Sequence, residues 1–168
     1  MNEFTKISHE KIEDNTFKLI GKDWMLITAG TKEDFNTMTA SWGGFGFLWN
    51  KPICHIYIRP HRFTYNFIER YDLFTLSFFD EKYRGCLNIC GTKSGRDIDK
   101  VKETGLTPAE SDNRSIYFKE ARLVLECRKI YYQDINPEFF IDNTIESNYP
   151  GKDYHRMYIG EVVNTLKK

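Results

Sequence analysis

The chain lacks an excess of charge of either sign. Lys and Arg together number 24, as do Asp and Glu, so nothing steers it toward nucleic acid or anionic lipid, and neither partner is expected. It also lacks long apolar runs. No stretch reaches the length of a membrane span, and Met1-Asn-Glu-Phe-Thr-Lys6 carries no apolar signal segment. A cytoplasmic location without membrane association is the expectation. Cysteine is sparse: Cys54, Cys86, Cys90 and Cys127 form no CxxC, and none of the four His residues stands at zinc-finger spacing from them. Neither a structural metal nor a disulfide framework is expected. Two of these thiols lie in strand-like runs and read as small buried hydrophobes, while Cys86 and Cys90, four apart, read as core or pocket lining. Internal repeats and low-complexity segments are missing too. Gly43-Gly-Phe-Gly46 leads into no helical pattern, which excludes the strand–glycine–helix signature of a dinucleotide fold.

What the chain has in quantity is aromatic residues, 15% of the total with Phe 13 and Tyr 10. Such residues suit half-buried pleated surfaces, and they equally suit a pocket for a planar ligand. With 168 residues, 40% hydrophobic and 29% charged, one globular domain over 1–168 is expected. Residues 1–16 read as an arm or a weak first strand. Strands are expected at Trp24–Gly30, Asn36–Trp42, Ile53–Arg59, Leu73–Phe79, within Ser115–Gln133 (one strand or a hairpin), and at Met157–Leu166, with Gly160 as a bulge. Between Ala121 and Arg128 the apolar alternation is clean. The glycines at 43, 44 and 46 read as a turn, and Asn50-Lys-Pro52 as a second one. Short helices are expected over Arg62–Arg70 with Thr64 capping its first turn, over Glu81–Ile89, from a Ser94/Asp97 capping box to Gly105, and over Pro137–Asn143 behind Asn136. Strands with few short helices between them point to a mainly β, antiparallel barrel.

Four stretches carry candidate chemistry. In Arg59-Pro-His-Arg62-Phe-Thr64 two guanidiniums precede a helix start, where unpaired N–H groups and the dipole favour an anion. The alternative is two surface charges and a plain N-cap. Asn36–Trp42 offers a polar edge beside a Trp, enough to wall and bond a flat heterocycle, or merely a tight strand–turn–strand. Lys93, beside Ser94-Gly-Arg96, can neutralise a phosphate or a reduced ring, or stay solvated. His155, just before a strand, can donate a proton or bond a ligand, or serve as an unliganded core or surface His. No GxSxG or similar nucleophile motif occurs.

Taken in order, Asn36-Thr-Met-Thr-Ala-Ser-Trp42, Arg59-Pro-His-Arg-Phe-Thr-Tyr65, Cys90-Gly-Thr-Lys-Ser-Gly-Arg-Asp-Ile-Asp-Lys100 and His155 with Tyr158-Ile-Gly-Glu-Val162 resemble the flavin reductase-like, flavoredoxin-type family of FMN-binding split-barrel proteins. The resemblance implies a mainly β split barrel, antiparallel and Greek-key-like, forming a homodimer with FMN near the interface. It places Asn36, Thr37, Met38, Thr39, Ser41 and Trp42 along the isoalloxazine, and Arg59, Arg62 and Thr64 at or near the phosphate, with the ring side as the alternative for Thr64. Lys93 and His155 approach the flavin as the catalytic candidates. The implied function is an FMN-binding oxidoreductase that takes hydride from NAD(P)H and passes electrons to a small-molecule or protein acceptor. The alternative is a flavoredoxin-type carrier without its own NAD(P)H activity. His155 follows Asp153-Tyr, where many flavin reductases carry Gly-Asp-His.

Overall fold

Stretches rich in Ile, Val, Thr, Phe and Tyr between Gly, Pro and Asn punctuation favour pleated structure. In the computed structural model of the chain, which describes residues 4–168, they form most of the fold. The strands are β1 (Thr5–Ile7), β2 (Met25–Gly30), β3 (Phe35–Ala40), β4 (Gly43–Leu48), β5 (Lys51–Ile58), β6 (Leu73–Phe78), β7 (Pro108–Glu110), β8 (Ile116–Phe118), β9 (Leu123–Asp134) and β10 (Arg156–Lys167). Four short helices accompany them: α1 (Thr16–Lys18), α2 (Phe63–Arg70), α3 (Arg84–Thr92) and α4 (Lys100–Thr104). Eight strands make one antiparallel sheet along the path β3-β2-β6-β9-β10-β5-β4, with β1 beside the end of β10; β7 and β8 form a separate pair. The expectation of a mainly β, antiparallel fold with a few flanking helices therefore holds. Among the described residues no helix is long and apolar enough to cross a membrane.

The path starts at β3 and ends at β4, yet Ala40 and Gly43 are only three positions apart. Three residues span at most about 11 Å, so the twisted sheet has to curl until its two outer strands meet. They meet without pairing, which leaves a seam.

Curling gives the strands an inner and an outer face. Met25, Ile27 and Ala29 of β2, Phe74, Leu76 and Phe78 of β6, and Leu123, Leu125 and Cys127 of β9 fill the interior with Cys54, Ile56 and Ile58 of β5. Leu26 and Val124 point the other way, into a second cluster closed by Leu87 and Cys90 of α3, Leu106 and Phe118. Hence β2 is buried on both faces and reads as a continuous apolar run. Of the Ala121–Arg128 alternation, Leu123, Leu125 and Cys127 enter the interior and Val124 the second cluster; Ala121, ahead of β9, joins Val124 rather than Leu123, and Glu126 is also buried, accepting bonds from Ser111, Asn113 and Asn164.

Several local expectations are corrected. The glycines at 43–46 form strand rather than turn. Gly44 pairs across from His55, and any side chain there would run into the His55 ring. The turn lies at Trp49–Asn50, both with positive φ (53° and 56°), as a two-residue hairpin, and Lys51 and Pro52 belong to β5. Ser94 does not start a helix; its hydroxyl accepts the Arg96 N–H in a turn, and Asp99 caps α4 by accepting the Lys102 N–H at 3.1 Å. Gly105 ends α4 with φ 68°, as read from the sequence. Arg62, not Thr64, is the N-cap of α2. Pro137–Phe139 is a single 3-10 turn capped by Asn136, and a second one spans Asn143–Asn148.

Gly160 is the expected bulge: the β9–β10 register slips between Ile159 and Gly160. A methyl group there would lie 2.6 Å from the Phe74 ring and 3.0 Å from Cys127 Cβ. Gly160→Ala should therefore overpack the interior and cost about 1–3 kcal/mol, read as a lower urea midpoint. An unchanged midpoint would show that the barrel interior has slack at this point.

Candidate functional site

The seam is where side chains with chemistry collect. Pro60 cannot extend β5, and the Arg62 N–H closes a turn onto the Arg59 carbonyl (3.0 Å) before α2 begins. No side chain caps α2, so the first N–H groups of that helix have neither a turn above them nor a cap. The C-terminal end of α3 and the loop 93–99 arrive on one side, β3 and the seam on another, and the start of β10 on a third.

Two contiguous cavities result. The first, about 250 Å³, is lined by Asn36, Met38, His61, Arg62, Phe63, Thr64, Thr92, Lys93, Ser94, Gly95, Arg96 and Lys100. Four of these are cations and none is a carboxylate. Arg62 donates one Nη to the Gly91 carbonyl (2.9 Å), while its other Nη is buried with no partner. Burial, and then the charge of Arg59, lowers the Arg62 pKa. Arg96 donates to the His61 carbonyl (3.1 Å) and lies 4.6 Å over the Phe63 ring. Lys100 is buried, donates to the Thr37 carbonyl (2.7 Å) and the Cys90 carbonyl (3.0 Å), and burial pulls its pKa down to about 8. Lys93 is exposed at the rim. An orphaned buried donor among unneutralised cations is a costly arrangement unless an anion occupies it.

The second cavity, about 340 Å³, is lined by Met38, Thr39, Ala40, Ser41, Trp42, Tyr57, Arg59, His61, Arg62 and His155. It shares Met38, His61 and Arg62 with the first. Its floor is the seam, and its walls are aromatic. The His155 ring lies 5.1 Å from that of Trp42 and 6.4 Å from that of Tyr57. His155 Nδ1 is 2.8 Å from the Tyr149 hydroxyl, and burial pulls its pKa down to about 4. The ring is neutral at pH 7, so it offers a ligand a flat face and a hydrogen bond rather than a charge. Arg59 is already committed: it donates to both Asp153 oxygens (2.8 Å each) and to the Asn148 carbonyl (2.7 Å). That pair holds the Asp153 carboxyl below the usual range, and His61 Nδ1 sits 3.1 Å from the same carboxylate.

The sequence-derived candidates divide accordingly. Met38, Thr39, Ser41, Trp42, Arg59, Arg62 and His155 meet in the aromatic cavity; Asn36, Met38, Arg62, Thr64 and Lys93 meet in the basic one. Thr64 is buried and accepts the Asn36 amide (2.7 Å), so its own hydroxyl proton is still available. Thr39 fastens β3 to α3 by donating to the Leu87 carbonyl (2.5 Å). Thr37 stands apart from both cavities, its hydroxyl bonded to Thr28 (2.9 Å) and to the Ile27 carbonyl (3.2 Å). Lys100, His61, Asp153 and Tyr57 were not among the candidates. Lys100 carried a signal of its own: it is the first helical residue after the Asp99 cap, where a cation opposes the dipole. Burial pushes the Cys90 thiol up to about 11 and also raises Cys86 and Cys127.

The family model described as flavin reductase like domain matches residues 17–167. Among solved structures, the FMN-binding domain of a flavin reductases-like enzyme from Shewanella baltica aligns with a TM-score of 0.72 at 17% identity, over 99% of this chain and 78% of that one. Flavoredoxin of Desulfovibrio vulgaris aligns with a TM-score of 0.68 at 21% identity, over 98% and 77%. An NADH:FAD oxidoreductase of Streptomyces globisporus aligns at 0.67 and 13%, over 87% and 75%. At these identities the likeness shows a shared fold, the split barrel. No curated protein matches the chain.

The buried neutral His155 sets a pH dependence. Between pH 6.5 and 4 the unfolded chain takes up a proton that the folded one refuses, so stability present above pH 6.5 is lost as the pH falls through this window. The loss should reach up to about 3 kcal/mol. His155→Gln should flatten that part of the acid slope in urea midpoints taken at pH 7, 5.5 and 4.5. Equal slopes in both proteins would exclude this origin.

Proposed function

The chain belongs to the flavin reductase like domain family, and from that premise we propose that it is an FMN-binding oxidoreductase taking hydride from NAD(P)H and passing electrons to a second acceptor. The observation that carries the proposal is the pair of contiguous cavities: a basic one with an unpartnered Arg62 nitrogen, opening beside an aromatic one floored by hydroxyl-bearing strand. Their residues fit a phosphorylated flat heterocycle, and the aromatic cavity falls within the usual size range of ligand pockets. When bound, FMN supplies the hydride and electron chemistry; the protein binds it, orients it and sets its potential.

On this reading Arg62, Thr64 and the uncapped start of α2 hold the phosphate. Asn36, Met38, Thr39, Ser41 and Trp42 lie toward the ring, with Thr37 behind them as support. His155 and Trp42 close one side and exclude water. Arg59 acts through Asp153, fixing the 143–153 segment that carries Tyr149 and so the orientation of His155. Lys93 offsets negative charge that the ring gains on reduction. We further propose a homodimer with the site near its interface. Supporting it, Phe47 and Trp49 at the β4–β5 tip are 70% and 55% exposed, and the exposed Tyr131 ring lies 5.9 Å from that of Trp49, a grouping of exposed apolar side chains that suits an interface.

Stopped-flow mixing with NADH or NADPH tests the activity: fast bleaching of bound flavin is expected, and none at all would favour the carrier function that the name flavoredoxin describes. Arg62→Ala should weaken FMN binding by about 10- to 100-fold, the value of a charge-assisted bond to an anion. An unchanged affinity in a fluorescence titration would refute the phosphate assignment. Lys93→Ala should lower the flavin midpoint potential, because the reduced ring loses a neighbouring cation.

A further inference from the structure

Lys100 is 7% exposed, and among the described residues it makes no ion pair. An ammonium has three N–H groups. Two go to the Thr37 and Cys90 carbonyls, and the third has no protein partner. Beside it, Arg62 binds the Gly91 carbonyl. Both cations therefore sit on the last carbonyls of α3, whose dipole amounts to roughly half a negative charge. Two full charges exceed what that helix end offsets, and the surplus faces the basic cavity.

The other groups around Lys100 do not cancel it. From α2 comes Arg62, whose charge opposes that of Lys100; from α3 comes Cys90, whose thiol is neutral. From the loop come Lys93 and Arg96, and His61 lies across the cavity. Glu33, Asp34 and the Asp99 cap line a separate cavity on the far side of Lys100, where Asp34 is already paired with Arg70 at 3.0 Å.

We propose that Lys100 is a concealed second cation of the phosphate site, that it makes the chain select phosphorylated over unphosphorylated flavin, and that its deprotonation releases that preference in alkali. The proposal rests on reading the basic cavity as the phosphate site. A phosphate monoester is largely dianionic above about pH 6, and the buried amine loses its proton near pH 8 in the empty site. The phosphate-dependent part of the affinity is therefore greatest between those values and falls above them. Binding of the dianion favours the charged amine and so raises its pKa, which moves the fall to higher pH as flavin saturates.

The test compares FMN with riboflavin, which lacks only the phosphate, on the full chain from pH 6.5 to 9.5. Wild type should lose about tenfold of its FMN-over-riboflavin preference by pH 9.5. Lys100→Met should show the reduced FMN-over-riboflavin preference already at pH 7. Lys100→Arg, which stays charged, should hold the preference through pH 9.5. A merely structural Lys100 would move both flavins together. A wild-type preference that stays flat to pH 9.5, or survives in Lys100→Met, overturns the proposal. If wild type binds both flavins equally at pH 7, the phosphate-site reading itself fails. Should Lys100→Met not fold, the wild-type profile decides alone.

Discussion

Closure of the sheet at Ala40–Gly43 is the constraint on which the rest of the molecule depends. A path of seven strands whose first and last members are tied by a few residues cannot lie flat. It must curl, and the curl creates the interior that Phe74, Leu76, Phe78 and Leu125 fill. Because β3 and β4 meet without pairing, backbone groups and short polar side chains at the seam are left facing a gap rather than a ladder. Met38 to Trp42 floor the aromatic cavity for that reason. The site is what the sheet leaves open when it fails to close completely.

A second layer of order is electrostatic, built around the C-terminal end of α3. Thr39 fastens β3 to this helix at Leu87, Lys100 fastens it at Cys90 and Arg62 at Gly91. Three consecutive regions of one short helix thus receive donors from β3, α4 and the start of α2. Cations are attracted to a helix C-terminus, but each one drawn there adds to a charge the helix cannot fully offset. The same attraction that assembles the scaffold leaves the cavity positive. Arg59 shows the contrast: one turn earlier in the chain it found Asp153, and its charge is spent within the protein.

Much of the barrel was readable because the information is local. Trp24–Gly30, Ile53–Arg59 and Leu73–Phe79 each carry their own apolar pattern, and each forms its strand nearly where expected. The failures are non-local. Gly43–Leu48 looks like a turn by composition; it is a strand because His55, eleven residues on from Gly44, lies across a face that only glycine leaves free. Arg59 and Arg62 look alike in sequence, and only the folded chain shows that Asp153, 94 residues away, neutralises one and not the other. The Ser94/Asp97 spacing was a true local signal answered by a turn, because Asp99 caps the helix one turn further on. Lys100 escaped notice because a lysine in the first turn of a short polar helix is ordinarily solvated; its burial follows from the packing of α4 against α3 and its bond to the Thr37 carbonyl of β3.

The two cavities also divide the work on the proposed reading. Groups at the basic end, Arg62 and Lys100, meet a phosphate whose charge does not change when the ring is reduced. Interactions equal in both redox states raise affinity and leave the potential where it was, just as uniform binding leaves a chemical step unaccelerated. The potential is set by groups that meet the ring. At the seam those are the neutral face of His155, the Trp42 ring and short hydroxyls, none carrying a formal charge at pH 7. A neutral wall does little to stabilise an anionic reduced ring, so on the proposed reading the exposed Lys93, at the rim of the basic cavity, becomes the cation available to do so. Arg62 offers less, since its position beside the Gly91 carbonyl ties it to the phosphate end. Affinity and potential can then vary separately in this scaffold, the first by changing the buried cations and the second by changing one lysine at the rim.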